Sequence, residues 1–155
     1  MTSSFQMNRR HWMAGAIALP WLTTWAAAPR TVVEVWKDPS CGCCKDWMAH
    51  MESAGFDMRV HESGKAAAQV RLGIAPQFSS CHTASVAGYA LEGHVPARDV
   101  QRLLKDKPKA VGLAVPGMPI GSPGMDGPEY NKRKDPYDVL LVQADGSSRV
   151  FQSYR

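Results

Sequence analysis

The sequence predicts an α/β fold with the element order βαβαββα, followed by a long Gly/Pro/Met loop and a C-terminal β-hairpin. Three observations lead to this class: apolar, β-branched runs of strand length, amphipathic runs with apolar residues every three or four positions, and Gly or Pro at the junctions. The 155 residues are 45% hydrophobic and show no internal repeat. That length and composition suit one domain with its own core, which we place at residues 29–155.

Residues 1–28 are predicted to be a secretory signal peptide. Arg9 and Arg10 precede a stretch that is almost without charge, and three alanines stand at its end, at residues 26–28. The apolar run is short and contains Pro20, which argues against a stable membrane span, so a retained N-terminal anchor is the less favoured alternative. The paired arginines permit twin-arginine export. We therefore expect a periplasmic protein whose cysteines work where disulfides can persist.

The net charge gives no indication of a nucleic-acid partner. The formal charge is +4, but removal of Arg9 and Arg10 with the signal peptide leaves 16 of the 18 basic residues against 14 acidic residues, a net charge of +2. The one basic run, residues 132–134, has no aromatic residues alternating with it, as a groove for single-stranded nucleic acid would have. A solvated loop explains this run, and we expect no nucleic-acid binding.

The first half of the chain predicts two strands and two helices. Residues 31–37 are β-branched and apolar, as expected of a buried strand, and residues 58–61 predict the second strand. Residues 44–54 predict an amphipathic helix. Its apolar positions, which predict core packing, are Trp47, Met48, Met51 and Ala54. A second helix is expected to begin with Ser63 as its N-cap and to end at Gly73. Its apolar positions are Ala67, Val70 and Leu72.

The second half predicts a tight hairpin and a third helix, which complete the order βαβαββα. Residues 83–87 and 89–92 alternate about Gly88, which suits a two-residue turn. Pro96 fits the first turn of the helix, which ends before Pro108. The apolar positions of this helix are Val100, Leu103 and Leu104.

A long loop and a second hairpin follow the third helix. Residues 111–137 are rich in Gly and Pro and break the periodicity, and loops of such length inside a compact domain are usually functional or disordered. Met118 and Met125 supply two thioethers to this loop. Residues 138–143 and 149–152 predict the C-terminal hairpin.

Three of the four cysteines fall within four positions, between the first strand and the first helix. Cys41 and Cys44 form a Cys-x-x-Cys pair which, with the order βαβαββα, is typical of a thioredoxin-like domain. The pair would lie at the C-terminal end of the first strand, where ligands commonly meet α/β sheets. Cys43 is an additional thiol in the same loop. Cys81 precedes the third strand, so the predicted fold places it beside this loop, and His82 follows it directly.

This pattern favours a soft-metal site. Thiolates, imidazole and thioethers together suit copper(I), with zinc or silver as alternatives. The predicted ligands are Cys41, Cys43, Cys44, Cys81, His82, Met118 and Met125. Such a protein would serve metal homeostasis by sequestering the ion or passing it to another metal-handling protein, and it would need no catalysis.

The histidines are weaker candidates than the cysteines. A regular strand would point His82 away from Cys81, because alternate side chains take opposite faces. His94 stands just before a helix, where a contact with the helix N-terminus or a surface position is as good an explanation as metal binding. His50 and His61 have no partner pattern and are not assigned.

Two other interpretations of the cysteines stay open. In a thiol–disulfide oxidoreductase, Cys41 would be the attacking thiolate, activated by the helix N-terminus, and Cys44 would resolve the mixed disulfide. Such an enzyme has no need of Cys43. In a purely structural interpretation, Cys41 and Cys44 form a disulfide while Cys43 pairs with Cys81 or stays free.

Several longer motifs run in order along residues 41–125. They are Cys41-Gly42-Cys43-Cys44-Lys45-Asp46-Trp47, Ser80-Cys81-His82-Thr83, Gly88-Tyr89, Glu92-Gly93-His94-Val95-Pro96, Pro116-Gly117-Met118-Pro119 and Gly121-Ser122-Pro123-Gly124-Met125. In these motifs the sequence resembles the small exported proteins of domain-of-unknown-function family 411, described as predicted metal-binding and thioredoxin-like. The resemblance implies copper or silver handling. Asp126 stands where the family pattern usually has Glu, and this departure leaves the methionine loop intact.

Overall fold

The protein is described by a computed structural model that covers residues 29–155, and the predictions made for residues 1–28 lie outside this range. The strands are β1 (Thr31–Lys37), β2 (Phe56–His61), β3 (His82–Val86), β4 (Tyr89–Glu92), β5 (Gly112–Ala114), β6 (Tyr137–Val142) and β7 (Ser148–Tyr154). The helices are α1 (Gly42–Ser53), α2 (Lys65–Arg71) and α3 (Ala97–Asp106), and short 3₁₀ turns cover Pro76–Phe78 and Pro128–Tyr130.

All seven strands form one mixed sheet in the order β2-β1-β3-β4-β5-β6-β7. The strands β1 and β2 are parallel, as are β4 and β5, whereas the other neighbours are antiparallel. The predicted α/β class, the order βαβαββα and the C-terminal hairpin of β6 and β7 are confirmed. Within residues 29–155, no helix has both the length and the apolar composition needed to cross a membrane.

The turn between β3 and β4 has the backbone that the sequence predicts for a tight hairpin. Ala87 and Gly88 both have positive φ angles, 46° and 87°, as a two-residue type I′ connection requires. This hairpin fixes the register in which Thr83 faces Glu92. The residues just outside it, His82 and Gly93, therefore lie side by side at the same end of the sheet.

Two details of the predicted elements are wrong. The segment 111–137 is not wholly a loop, because β5 pairs with both β4 and β6 inside it. Gly112 makes this possible, since a Cβ atom there would stand 1.8 Å from the carbonyl oxygen of Ala90. The second helix begins at Lys65 with Gly64, in the left-handed conformation, as its N-cap, so Ser63 is not the cap.

The two faces of the sheet bury cores of different size. The larger core lies under α1 and α3 and is built on Val33, Val35, Trp47, Met51, Leu91, Val100, Leu103, Leu113 and Leu141. Met51 is fully buried and Met48 packs against this core, in agreement with the helical spacing. The smaller core includes Ile74, Phe78, Ala90, Ala114 and Val142. Val70 of α2 is 81% exposed, so the second helix contributes less apolar surface than its pattern predicts.

Candidate metal centre

The antiparallel pairing of β1 with β3 places the two cysteine segments together. Lys37, the last residue of β1, faces His82, the first residue of β3. The loop that leaves β1 therefore meets the segment that enters β3. The sulfur atoms of the four cysteines lie within 4.8 Å of one another, at the C-terminal end of β1 and the N-terminal end of α1: Cys41, Cys43, Cys44 and Cys81. Such a group of sulfur atoms could hold a metal ion.

Two of these cysteines are oxidised in the structure. Cys41 and Cys44 form a disulfide, whereas Cys43 and Cys81 are free thiols. The sulfur of Cys43 lies 3.6 Å from that of Cys41. Cys44 is fully buried and Cys41 is partly exposed, so the disulfide is accessible from the Cys41 side. A site that uses all four thiolates requires this disulfide to be reduced first.

His94 is a neighbour of Cys81 that the sequence analysis did not assign. Its Nε2 atom lies 2.9 Å from the Cys81 sulfur, and its Nδ1 atom lies 2.7 Å from the carbonyl oxygen of Pro123. Because a carbonyl oxygen can only accept, Nδ1 must carry the proton in the neutral ring, which leaves the Nε2 lone pair directed towards Cys81. The predicted hairpin already indicated that His94 lies near the site, because residues 93–94 follow β4 and the last residue of β4 pairs with Thr83.

His82 also reaches Cys81, contrary to the alternation argument. Its Nδ1 atom lies 3.3 Å from the Cys81 sulfur. The alternation does not apply because β3 begins at His82, so Cys81 is not part of a regular strand. The ring is fully buried 4.2 Å from that of Trp47, and among residues 29–155 its Nε2 atom has no hydrogen-bond partner. The atoms of Cys81, His82 and His94 form a second group within 4.8 Å that could hold a metal ion.

Burial sets the protonation states of this second group. It raises the pKa of the Cys81 thiol to about 12, with a further contribution from the neighbouring Cys43. Burial also lowers the pKa of His94. It lowers the pKa of His82 well below the ordinary value of 6.5, and the charge of the neighbouring His94 lowers it further. At neutral pH the group without metal therefore consists of a thiol and two neutral rings. A bound cation would favour the thiolate and displace its proton.

The methionine loop, residues 115–136 between β5 and β6, contacts both segments that carry the cysteines. Gly117 pairs with Ser80, the residue before Cys81, so the neighbouring Met118 lies on the Cys81 side. Met118 is 51% exposed. The loop then returns to α1 so closely that a Cβ atom on Gly124 would stand 2.6 Å from the Cys43 carbonyl oxygen.

Met125 is engaged within the loop itself. Its side chain is only 9% exposed, and its thioether sulfur accepts a hydrogen bond from the Tyr130 hydroxyl at 3.4 Å. The two loop methionines thus differ, because the thioether of Met118 is accessible while that of Met125 already has a donor. The assignment of either as a metal ligand stays a prediction, as it does for the cysteines and histidines.

The fold and the cluster define a class: a mixed α/β protein with four cysteines and two histidines gathered at one end of its sheet, where they could hold a metal ion. A family model described as "Protein of unknown function, DUF411" matches residues 78–125, which include Cys81, His82, His94 and the two loop methionines, Met118 and Met125.

Two solved structures of a copper resistance protein, CopG, resemble the chain closely. Form 1 is 41% identical with a TM-score of 0.75, and the match covers 81% of this chain and 98% of CopG. Form 2 is 40% identical with a TM-score of 0.75, and the match covers 82% of this chain and 100% of CopG. The chain therefore belongs to the DUF411 family, as its motifs implied. No curated protein matches it.

Proposed function

We propose that this protein binds copper(I) outside the cytoplasm and sequesters the ion or passes it to another metal-handling protein. The observation that carries the proposal is the approach of four cysteine sulfurs, from two separate segments, to within 4.8 Å of one another. The ligands would be Cys41, Cys43, Cys44 and Cys81, with support from His82, His94, Met118 or Met125.

The chemistry of these side chains supports copper(I) over other ions. Thiolates and thioethers are soft ligands, and a site with several thiolates and an accessible thioether selects copper(I). Zinc would also accept four thiolates, but it gains nothing from Met118. Silver(I) is as soft as copper(I) and is the second alternative. The name of the relative CopG, a copper resistance protein at 41% identity, supports copper as the physiological ion.

Reduction of the Cys41–Cys44 disulfide would control how many sulfurs are available. In the oxidised state the free thiols are Cys43 and Cys81, and the Nε2 lone pair of His94 lies beside Cys81. In the reduced state four thiols are available. Metal binding must therefore precede oxidation or follow reduction in a compartment where disulfides form.

A thiol–disulfide oxidoreductase is the second candidate function, and the disulfide itself favours it. Cys41 is partly exposed at the N-cap of α1, whereas Cys44 is buried. This is the division of roles that the reaction needs. The Cys41 thiolate would attack one sulfur of a substrate disulfide, release the other as a thiol and form a mixed disulfide. Cys44 would then attack Cys41, which releases the reduced substrate and restores the Cys41–Cys44 disulfide.

Replacement of single cysteines separates the two functions. The reduced protein is titrated with copper(I) against a chromophoric chelator, and the same variants are assayed for insulin reduction. We expect Cys43→Ser to weaken copper(I) binding and to leave any dithiol exchange nearly unchanged, since exchange needs only Cys41 and Cys44. Ser40→Ala serves as the control, because Ser40 is exposed and directly precedes Cys41 but carries no thiol. Unchanged copper affinity in Cys43→Ser, with reductase activity that is lost in Cys41→Ser, would establish the oxidoreductase instead.

Location outside the cytoplasm follows from residues 1–28, which we propose to be removed as a signal peptide. The mature chain should then begin between about Ala27 and Thr31. Intact-mass analysis of the exported fraction tests this point. A mass that includes Met1 to Ala26, found in the membrane fraction, would contradict it.

A further inference from the structure

Ser80, the residue before Cys81, is held from three directions. Its backbone N–H donates to Oε1 of Glu92 at 2.7 Å. Its carbonyl oxygen accepts from the ammonium group of Lys65, and its hydroxyl donates to the carbonyl oxygen of Gly117. Elements β4, α2 and the methionine loop therefore all fix the segment that carries Cys81.

Glu92 is the buried member of this arrangement. Its side chain has no solvent exposure, which is costly for a carboxyl group unless its oxygens find donors. Oε1 also accepts from Nε2 of Gln69 at 2.8 Å, and Oε2 accepts from the Thr83 hydroxyl at 2.6 Å. Oε1 thus binds the backbone just before Cys81, and Oε2 binds a side chain of strand β3.

Strand β4 ends at Glu92, and His94 follows it two residues later. A Cβ atom on the intervening Gly93 would stand 2.5 Å from the Ser80 hydroxyl oxygen, so β4 and the Cys81 segment are in direct contact there. Glu92 thereby ties the backbone before Cys81 to the strand that leads to His94. His94 lies directly beyond that connection, with its Nε2 atom 2.9 Å from the Cys81 sulfur.

We propose that Glu92 is a positioning residue that holds Cys81 in place for metal binding through the reach of its side chain to the Ser80 N–H, and that its negative charge is not what the site requires. This inference rests on the proposed copper(I) function. Side chains that orient metal ligands in this way typically contribute about ten- to a hundredfold to metal affinity.

Two substitutions at Glu92 separate reach from charge. Glu92→Gln removes the charge but keeps the length, because the amide oxygen can accept from Ser80 and the amide nitrogen can donate to the Thr83 hydroxyl. Glu92→Asp keeps the charge but is shorter by one carbon–carbon bond, about 1.5 Å. From 2.7 Å, the distance to the Ser80 nitrogen would then exceed the hydrogen-bond range of about 3.2 Å. Thr83→Val removes the hydrogen bond to Oε2 and leaves Ser80 untouched, so it controls for the loss of a buried hydrogen bond.

We expect Glu92→Asp to lower copper(I) affinity by about tenfold or more, and Glu92→Gln and Thr83→Val to lower it by less than about tenfold. In the reduced protein without metal, Cys81 should be alkylated faster by iodoacetamide in Glu92→Asp than in the other two variants, since its segment is then less restrained. Wild-type affinity and alkylation in Glu92→Asp would overturn the proposal. A loss confined to Glu92→Gln would also overturn it, because charge would then be the requirement, and equal losses in both variants would overturn it because reach alone would then not be enough.

Cys81→Ser distinguishes a failure of this inference from a failure of the proposed function. If Cys81→Ser leaves copper(I) affinity unchanged, Cys81 is not a ligand and the proposed two-segment copper site is wrong. The alkylation comparison still tests the positioning of Cys81 in that case. Amide hydrogen exchange in the wild-type protein gives an independent test that does not depend on how the variants fold. The Ser80 amide should exchange as slowly as the amides of β4, and rapid exchange would contradict the hydrogen bond to Glu92.

Discussion

Replacement of Gly124 by alanine tests whether the methionine loop rests on the helix that carries the cysteines. Gly124 has a φ of +83°, and a Cβ atom there would lie 2.6 Å from the Cys43 carbonyl oxygen and 2.7 Å from the Trp47 nitrogen. The left-handed backbone costs an alanine about 1–2 kcal/mol. Overpacking against these two backbone atoms adds about 1–3 kcal/mol. We therefore expect Gly124→Ala to lower the free energy of unfolding by about 2–5 kcal/mol.

Gly146→Ala is the matched control. Gly146 has nearly the same φ, +81°, but nothing lies within 4 Å of its Cβ position, so its alanine variant carries only the backbone cost of about 1–2 kcal/mol. Urea unfolding of the two variants, in the same redox state, gives the difference. Faster alkylation of Cys43 in the reduced Gly124→Ala protein is expected as well, because the loop must lift from α1. Equal losses of stability in both variants would refute the packing argument.

Three further predictions concern other contacts. Tyr154→Phe should cost about 1–3 kcal/mol in chemical denaturation, because the Tyr154 hydroxyl donates at 2.6 Å to the buried carboxylate of Asp99. Burial lowers the pKa of His50 from its ordinary value of 6.5, so as the pH falls the unfolded chain takes up the proton first and the free energy of unfolding decreases. His50→Gln should make this decrease between about pH 7.5 and 5.5 shallower in urea unfolding, and an unchanged slope would contradict the prediction. Met118→Leu combined with Met125→Leu should lower copper(I) affinity but not zinc affinity in competition titrations, and parallel losses for both ions would exclude a thioether ligand.

The elements of the fold were predictable wherever a local pattern and a terminating residue coincided. The hairpin about Gly88 and the amphipathic face of α1 are of this kind, because both depend on neighbours in sequence. The three residues of β5 were not predictable in this way. Their sequence is short and lies beside glycines and prolines, and only pairing with β4 and β6 makes them a strand.

The site was predictable in part for the same reason. The spacing of Cys41, Cys43 and Cys44 marks one short segment, which the structure shows to be the N-cap and first turn of α1, and the βαβαββα order places Cys81 next to it. The Gly88 hairpin brings the segment after β4 to the site, but the orientation of the His94 ring depends on the carbonyl of Pro123, 29 residues further along the chain, which no local pattern shows. The disulfide was open as one of three interpretations, because sequence spacing alone does not distinguish a Cys41–Cys44 bond from a pair of metal-binding thiolates.

The central claim is that the cysteine sulfurs from the two segments bind one copper(I) site. X-ray absorption at the copper edge of the reduced, copper(I)-loaded protein tests it most directly, with Cys81→Ser compared under the same conditions. Our account predicts a first coordination shell made mainly of sulfur, with fewer sulfur neighbours per copper in Cys81→Ser. A shell of nitrogen and oxygen only, or a sulfur shell that Cys81→Ser leaves unchanged, would contradict the claim.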